Sequence, residues 1–600
     1  MRKIHIFFMA LAATGLMMFT GCKKEYETVR LGVELETAPS NAKVVIDEDH
    51  NPVILDGDSV NVNGVKYFVT VNNGTYEVEV NKETSGVYYA AYPASLFNTL
   101  SVSGFSGTSN QDVHMSRWQV YKHNEGVQDV QIPAGAVITD GSKKLKFYNF
   151  CSLLEVQWKN TSSDAYDIIG IEVTVPGLGL YGDGTATLDG TNSTIAFIDG
   201  TKNRVNLDIT ETDRETVNAN TPSRNYYIVL PPFSDKQVTV SIHTMKHTQT
   251  TANDQKIKTV TFNTSRNVSL ARNTIVPLHV EATPKEDNDL TGYFSVADNY
   301  KVVFSRGNLQ HVGSTNASDG TWKFADRQYD FFGPKNVSAY SNRTNKSDLF
   351  SWSNSGDNDA FGITTYDDWV MWDGRIFVQN GCEYQDWGDY KTISGDNPGT
   401  WYTLSSSEWY YLLHERVGGH GEDLFGKAKI TGIEGMEATI YENGSTRTLT
   451  DAYGFILLPD DWTDEDLPSG LSFTPNSDND TTLHESNVYS VSDWARMEAA
   501  GAVFLPAAGY GDNYEDEGSE ILEAYKVGQY WSRTPQGGDI MTGEADFLGF
   551  EYRSFKWVLK VGDVSHGVGT LNQGYDLDWF YLRSVRLVKP APGYTRPTSK

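Results

Sequence analysis

Cysteine is nearly absent: Cys22, Cys151 and Cys382 are the only three in 600 residues. That is too few for a disulfide framework. Cys151 and Cys382 form either one bridge or two buried thiols. Basic charge is also short, with 49 Lys and Arg against 78 Asp and Glu, a net charge of −29. An acidic surface repels phosphate backbones and excludes nucleic acid as a partner. After residue 19 no apolar run is long enough to span a bilayer. Sustained helical periodicity is missing from the first 280 residues. What is present is aromatic residues, at 12%. Such content fits packed β-structure or surfaces that meet sugars or proteins. A chain of this length exceeds one hydrophobic core and implies several domains.

The chain opens on the basic stretch Met1-Arg2-Lys3, followed by an apolar run from Ile4 to Phe19. The run has signal-peptide rather than membrane-span length. It ends in Phe19-Thr20-Gly21-Cys22. This resembles a lipoprotein lipobox, in which small residues precede a cysteine that is acylated (palmitate being one such chain) and becomes the first mature residue. Phe19 stands where that pattern usually has Leu. The resemblance implies a signal peptide over 1–21, lipid attachment at Cys22 and an outer-membrane location facing outward. The alternative is an ordinary signal peptide with a chance cysteine, or an uncleaved anchor. Lys23-Lys24-Glu25-Tyr26-Glu27 looks like the surface-export signal of Bacteroides-type lipoproteins, set in a tether over 22–30.

From Val29 to Val280 short runs of Val, Tyr and Phe alternate with polar residues, as in Val60 to Val71 and Tyr76 to Val80. Asp56-Gly57, Asn63-Gly64 and Asn73-Gly74 separate them as turn pairs. Evenly spaced short strands predict antiparallel sandwiches. The pattern divides into a first module over 31–143 and a second over 144–282. Pro284 to Asp289 reads as a charged linker within 283–292. Over 293–589 Trp and Tyr rise and helices are expected at Ser406 to Glu415 and Ser492 to Ala500. The proline-bearing tail 590–600 is expected to be loose.

Gly57-Asp58-Ser59-Val60, Asn63-Gly64-Val65-Lys66-Tyr67 and Gly86 to Pro93 resemble the N-terminal domain of fimbrillin-like proteins. Leu145 to Trp158 resembles the start of their C-terminal domain. The resemblance implies two transthyretin-like β-sandwiches and a place in a type V fimbria, with other subunits as partners by donor-strand exchange. In that family an Arg-directed protease cuts after the first strand. Here the first strand is expected over Val29 to Thr37, and Arg30 precedes or starts it. Lys43 comes next and is not Arg, which puts groove-opening cleavage in doubt.

The remainder resembles another family. Phe304-Ser305-Arg306-Gly307-Asn308-Leu309-Gln310, Leu424 to Ala428, Leu457-Leu458-Pro459-Asp460-Asp461-Trp462, Ala502 to Gly509, Gly528 to Ser532 and Arg583 to Val588 follow in order. The series is similar to the Fibrobacter succinogenes major paralogous domain, which implies a C-type lectin-like α+β fold. The fold class is thus mainly β with a C-terminal α+β domain.

No catalytic constellation accompanies this resemblance, so the chain is not expected to be an enzyme or to hold a cofactor or metal. The formylglycine-generating enzymes related to this fold use a reactive cysteine pair or a copper site, whereas this region has only Cys382; the sugar-binding calcium signature of animal lectins is also missing. Gly177-Leu178-Gly179-Leu180-Tyr181-Gly182 spells GxGxxG after a strand, but Asp183-Gly184-Thr185 continues a turn and the segment reads as a tight β-loop. His414-Glu415 and His420-Glu422 lack metal-binding spacing. Asp512 to Gly518 looks like a calcium loop, but Tyr514 occupies its second ligand position; it and Asn476 to Asp480 read as solvated acidic loops, with irregular calcium binding as the alternative. Trp409, Trp494 and Trp531 are expected in the core. Trp372, Tyr384 and Trp387 are the aromatics expected to touch a ligand. These readings converge on an adhesin-type surface lipoprotein, a terminal tip or accessory subunit of a fimbria, binding a glycan or protein through its C-terminal domain. The alternative is a stand-alone glycan-binding lipoprotein of a polysaccharide uptake system.

Overall fold

In the computed structural model, Asn63 and Gly64 have φ of 50° and 85°, and Asn73 and Gly74 of 50° and 76°. Two successive left-handed residues make the hairpin turn that matches strand twist, which is why Asn-Gly occupies both sites. The structure describes residues 27–36, 57–97, 111–121, 123–124, 127–128, 132–200, 202–247, 257–313, 320–333, 346–350, 386–442, 445–468, 470–475, 487–512, 520–535, 545–551, 559–561 and 582–596. They divide into two compact units: residues up to 243 with 260–283, and 244–259 with those from 284 onward.

The first unit begins with β1 (Thr28–Leu35), β2 (Ser59–Val62), β3 (Val65–Asn72), β4 (Thr75–Asn81) and β5 (Tyr88–Tyr92). Next come β6 (Gln111–Met115), β7 (Trp118–Tyr121), the small hairpin β8 (His123–Asn124) and β9 (Val127–Gln128), β10 (Ala134–Ile138) and β11 (Lys144–Asn149). The order β1-β11-β10-β5-β2-β3-β4 closes into a barrel. Period-2 alternation turns Leu31, Val33, Val60, Val69, Val78 and Phe147 into its core.

The boundary expected at residue 144 is corrected by this topology. β11 closes the first barrel instead of opening the second module. Conversely, β6 and β7, expected in the first module, pair with strands of the second: β6 with β14 (Gly182–Thr187) and β7 with β16 (Arg204–Ile209). The second module is a two-layer β-structure. β12 (Ser152–Asn160) lies between β18 (Tyr226–Leu230) and β23 (Ile275–Ala282). The facing layer contains β13 (Tyr166–Thr174), β16 and β20 (Thr239–Lys246). Between the layers, Leu154, Val156 and Trp158 meet Ile171, Val173, Leu207 and Val240. A further apolar cluster of Ala91, Phe97, Phe150, Cys151, Leu153 and Tyr227 joins barrel and second module within this unit.

The second unit is α+β. One sheet orders Phe294–Ala297, Tyr300–Phe304, Leu587–Pro590 and Tyr402–Thr403; another orders Val488–Ser490, Phe425–Thr431, Asp451–Leu457 and Val503–Pro506. Both expected helices form. Ser405 and Glu408 make a capping box at Ser406–Tyr410, and Ser490 and Asp493 make one at Val491–Ala499. The first helix ends sooner than expected, widening into a π-helical turn over Tyr411–Glu415. The expected linker is ordered: Leu290 donates to the Phe304 carbonyl, and Lys589 pairs with Asp289 at 2.9 Å. The tail is also seated as far as residue 596. Tyr594 meets Tyr300 edge-on, and Arg596 grips Asp389 through both of its terminal nitrogens.

Candidate functional site

The first strand is where sequence and geometry meet. Three contacts place it. Antiparallel pairing runs from Thr28↔Asn81 to Gly32↔Glu77 on β4. Parallel pairing runs from Gly32↔Lys144 to Leu35↔Phe147 on β11. The Glu36 amide then donates to the Phe147 carbonyl at 2.8 Å. An N-terminal strand thus occupies a slot between two strands that do not pair with each other. Its inward residues are apolar, with Leu31 and Val33 buried and Val29 and Leu35 packed against the same core.

Its outward residues form ion pairs. Glu27 meets Lys82 at 2.8 Å, Arg30 meets Glu79 at 3.5 Å, and Glu34 meets Lys144 at 2.7 Å. Hydrogen bonding from Lys82 and Lys144 holds the Glu27 and Glu34 carboxyls below the usual range. Thr28 does the same for Glu79, and Glu27 raises Lys82. These groups are exposed, so solvent screens them and they contribute little. The fourth pair differs. Glu36 is 7% exposed, and Arg272 reaches it from the second module at 2.5 Å (Nη1–Oε2) and 2.8 Å (Nη2–Oε1). A bidentate pair with one buried and one largely covered partner fixes geometry as well as charge.

Arg30 lies third in β1, inside the strand, with a side chain 68% exposed. A cut after it would leave Leu31 to Leu35 continuous with the rest of the chain. Cys22, Cys382, Trp372 and Tyr384 lie outside the described residues. The third expected ligand-contacting aromatic, Trp387, has no exposed surface, and its ring packs 6.1 Å from that of Phe350. A buried ring offers no stacking face, so Trp387 is a core residue rather than a contact. Cys151 is a free, buried thiol, and burial pushes its pKa far up.

The motif residues of the second unit serve as internal braces. Asp460 accepts from Ser295 Oγ at 2.6 Å and pairs with Lys301 at 2.9 Å and Arg416 at 3.2 Å. Arg586 donates to Gln328 Oε1 at 2.8 Å inside the core. Trp409, Trp494 and Trp531 are buried, as expected. His414 lies 3.4 Å from Glu422 and His420 lies 3.5 Å from Asp423. Among the described residues no three His, Cys, Asp or Glu gather around a metal position. After Gly177 the chain turns into β14 with no intervening helix. Sequence reasoning missed Glu36, Arg272 and Asp386. Asp386 is wholly buried, accepts from the amides of Gly388 (3.1 Å) and Thr403 (2.7 Å), and is pushed up to about 6 by desolvation.

No family model and no curated protein matches this chain. Among solved structures, it is similar to a Bacteroides ovatus protein whose cell-adhesion role is inferred (12% identity, 44% of this chain and 95% of that one, TM-score 0.26). It is also similar to the C-terminally truncated tip fimbrial protein Mfa3 of Porphyromonas gingivalis (9% identity, 43% and 97%, TM-score 0.19). A fimbrial protein of Bacteroides ovatus matches at 10% identity over 94% of this chain and 100% of that one, with TM-score 0.18. TM-scores this low do not establish a common fold.

Proposed function

We propose that the chain is an adhesin-type lipoprotein of the cell surface, held in the outer membrane through Cys22 and serving as a terminal or accessory subunit of a fimbria. Its β-rich first unit acts as stalk, and its α+β second unit acts as a lectin-like head that binds a glycan or protein. The observation that carries this reading is the seating of β1. The first described strand fills a slot between β4 and β11, pairing in parallel with β11. Such a slot suits strand addition, in which main-chain hydrogen bonds supply affinity and alternating side chains supply specificity. The charged tether and acylated cysteine place that strand next to the membrane.

The test is co-assembly. The full chain is treated with an Arg-specific protease, weighed by mass spectrometry, and mixed with fimbrial subunits of its own organism. Detergent-resistant complexes are expected. Their absence, with or without cleavage after Arg30, removes the fimbrial role. Tight binding of one polysaccharide on a glycan array without co-assembly would make the protein a stand-alone glycan-binding lipoprotein.

A further inference from the structure

Arg272 is oriented without any help from β1. Its segment is pinned to the connection between β11 and β12. Ser152 Oγ donates to the Ala271 carbonyl, and the Asn273 amide donates to the Cys151 carbonyl at 3.0 Å. Asn149 Nδ2 donates to Asn273 Oδ1 at 2.7 Å, and the Leu153 amide donates to the Thr274 carbonyl at 2.9 Å. On that platform Arg272 Nε donates to the Thr191 carbonyl at 3.0 Å and Nη1 donates to the Asn149 carbonyl at 2.7 Å. The outer edge of the guanidinium is left facing the end of the β1 slot, where it meets Glu36. The Arg272 side chain is 13% exposed and that of Glu36 is 9% exposed. Were the slot filled by a strand with no carboxylate there, a fixed and largely desolvated cation would lack its counter-charge. That is disfavoured far more than the loss of a solvated surface pair.

We propose that Arg272 keys the β1 slot: it admits a strand that carries a carboxylate at the register of Glu36 in addition to inward apolar residues at the registers of 29, 31, 33 and 35. The occupant is an extended segment of that pattern, met by the resident β1 and required of any subunit strand that replaces it. The extension to other subunits rests on the fimbrial reading above. The key itself belongs to the isolated chain. The three exposed pairs along the strand contribute little to the selection, because water substitutes for either partner.

Hydrogen exchange of the full chain, read by mass spectrometry over peptides spanning 28–36, tests this. Glu36→Gln keeps the side-chain shape and removes the charge. It is expected to speed exchange in β1 by about tenfold or more relative to peptides from β13 and β20. Arg272→Met is expected to do the same, and in the double variant Glu36→Gln with Arg272→Met the loss is expected to be clearly smaller than the two single losses combined. Arg30→Ala and Lys144→Ala are expected to change β1 exchange by less than about threefold. Unchanged β1 exchange in Glu36→Gln overturns the proposal. So does faster exchange spread equally over β13 and β20, which marks a packing defect. Should Arg272→Met fail to fold, the Glu36→Gln comparison decides alone. A negative result here leaves the fimbrial reading standing, because co-assembly is measured separately.

Discussion

Leu31 and Arg30 are neighbours in one strand, yet they live in different solvents. Leu31 is 1% exposed inside the barrel, whereas the Arg30 side chain is 68% exposed. Truncating a buried leucine removes transfer free energy and leaves a cavity, so Leu31→Ala is expected to destabilise the first unit by about 2–5 kcal/mol. Arg30→Ala is expected to fall within about 0.5 kcal/mol of the parent. Urea midpoints of the two variants, read with tyrosine and tryptophan fluorescence, check the contrast. A second residue, Asp386, makes a pH-dependent prediction. Burial raises its pKa from 3.8 to about 6, against the two amides that favour its charged form. A carboxyl raised on folding binds its proton in the folded chain before the unfolded chain does. Its contribution therefore grows as pH falls from about 6 towards 3.8 and is lost as pH rises through that window. Replacing Asp386 by Asn removes this dependence. Between about pH 4 and pH 7 the stability difference is expected to move in the variant's favour by on the order of 1–3 kcal/mol. Denaturant titrations at both pH values would show it, and a pH-independent difference would refute it.

Elements depend on signals at their own ends. Ser490 accepts from the Asp493 amide at 3.1 Å, and the Asp493 carboxylate accepts in return from the Ser490 amide at 3.0 Å. Ser490→Ala is expected to cost about 1 kcal/mol, seen as a lowered denaturation midpoint of the second unit. This helix was legible in the sequence because its buried face, Trp494 and Met497, is set by residues three apart, although its cap at Ser490 lies two residues before the expected start at Ser492. The Asn-Gly hairpins were legible for the same reason. The assignment of strands to modules was not. β11 and β12 carry the same alternating pattern and are separated by only Phe150 and Cys151, but one joins the barrel and the other the second module. Which sheet a strand enters is set by long-range pairing, as with β6 on β14, and local alternation carries no trace of it. The candidate site divides the same way. The apolar alternation of β1 was visible, but Glu36 and Arg272 are 236 residues apart and neither stands in a motif. Trp387 was read as a ligand contact because its neighbours are rich in Gly and Asp, whereas its burial is set by distant residues such as Phe350.

At the scale of the whole molecule, the proposed anchor at Cys22 makes a prediction about how the chain would meet a membrane. Between Cys22 and β1 stand only residues 23–27. Even fully extended, they reach about 16–18 Å. A lipid on Cys22 would therefore hold the barrel close to the headgroups. A net charge of −29 opposes adhesion of the surface to anionic lipid, so attachment, if Cys22 is acylated, would rest on the acyl chains rather than on electrostatics. This separates the two readings of the N-terminus. If Cys22 is the acylated first residue, Cys22→Ser is expected to abolish incorporation of radiolabelled palmitate and to move the protein from the detergent phase to the aqueous phase in Triton X-114 partition. If the apolar run 4–19 is itself an uncleaved anchor, the variant stays in the detergent phase, and its mass still includes the run. Stable attachment by acylation requires more than one chain, because each buried methylene contributes about 0.8 kcal/mol and a single myristoyl chain binds reversibly. A parent protein that resists high-salt extraction, beside a Cys22→Ser variant that is fully soluble, would therefore mean that the cysteine carries several acyl chains.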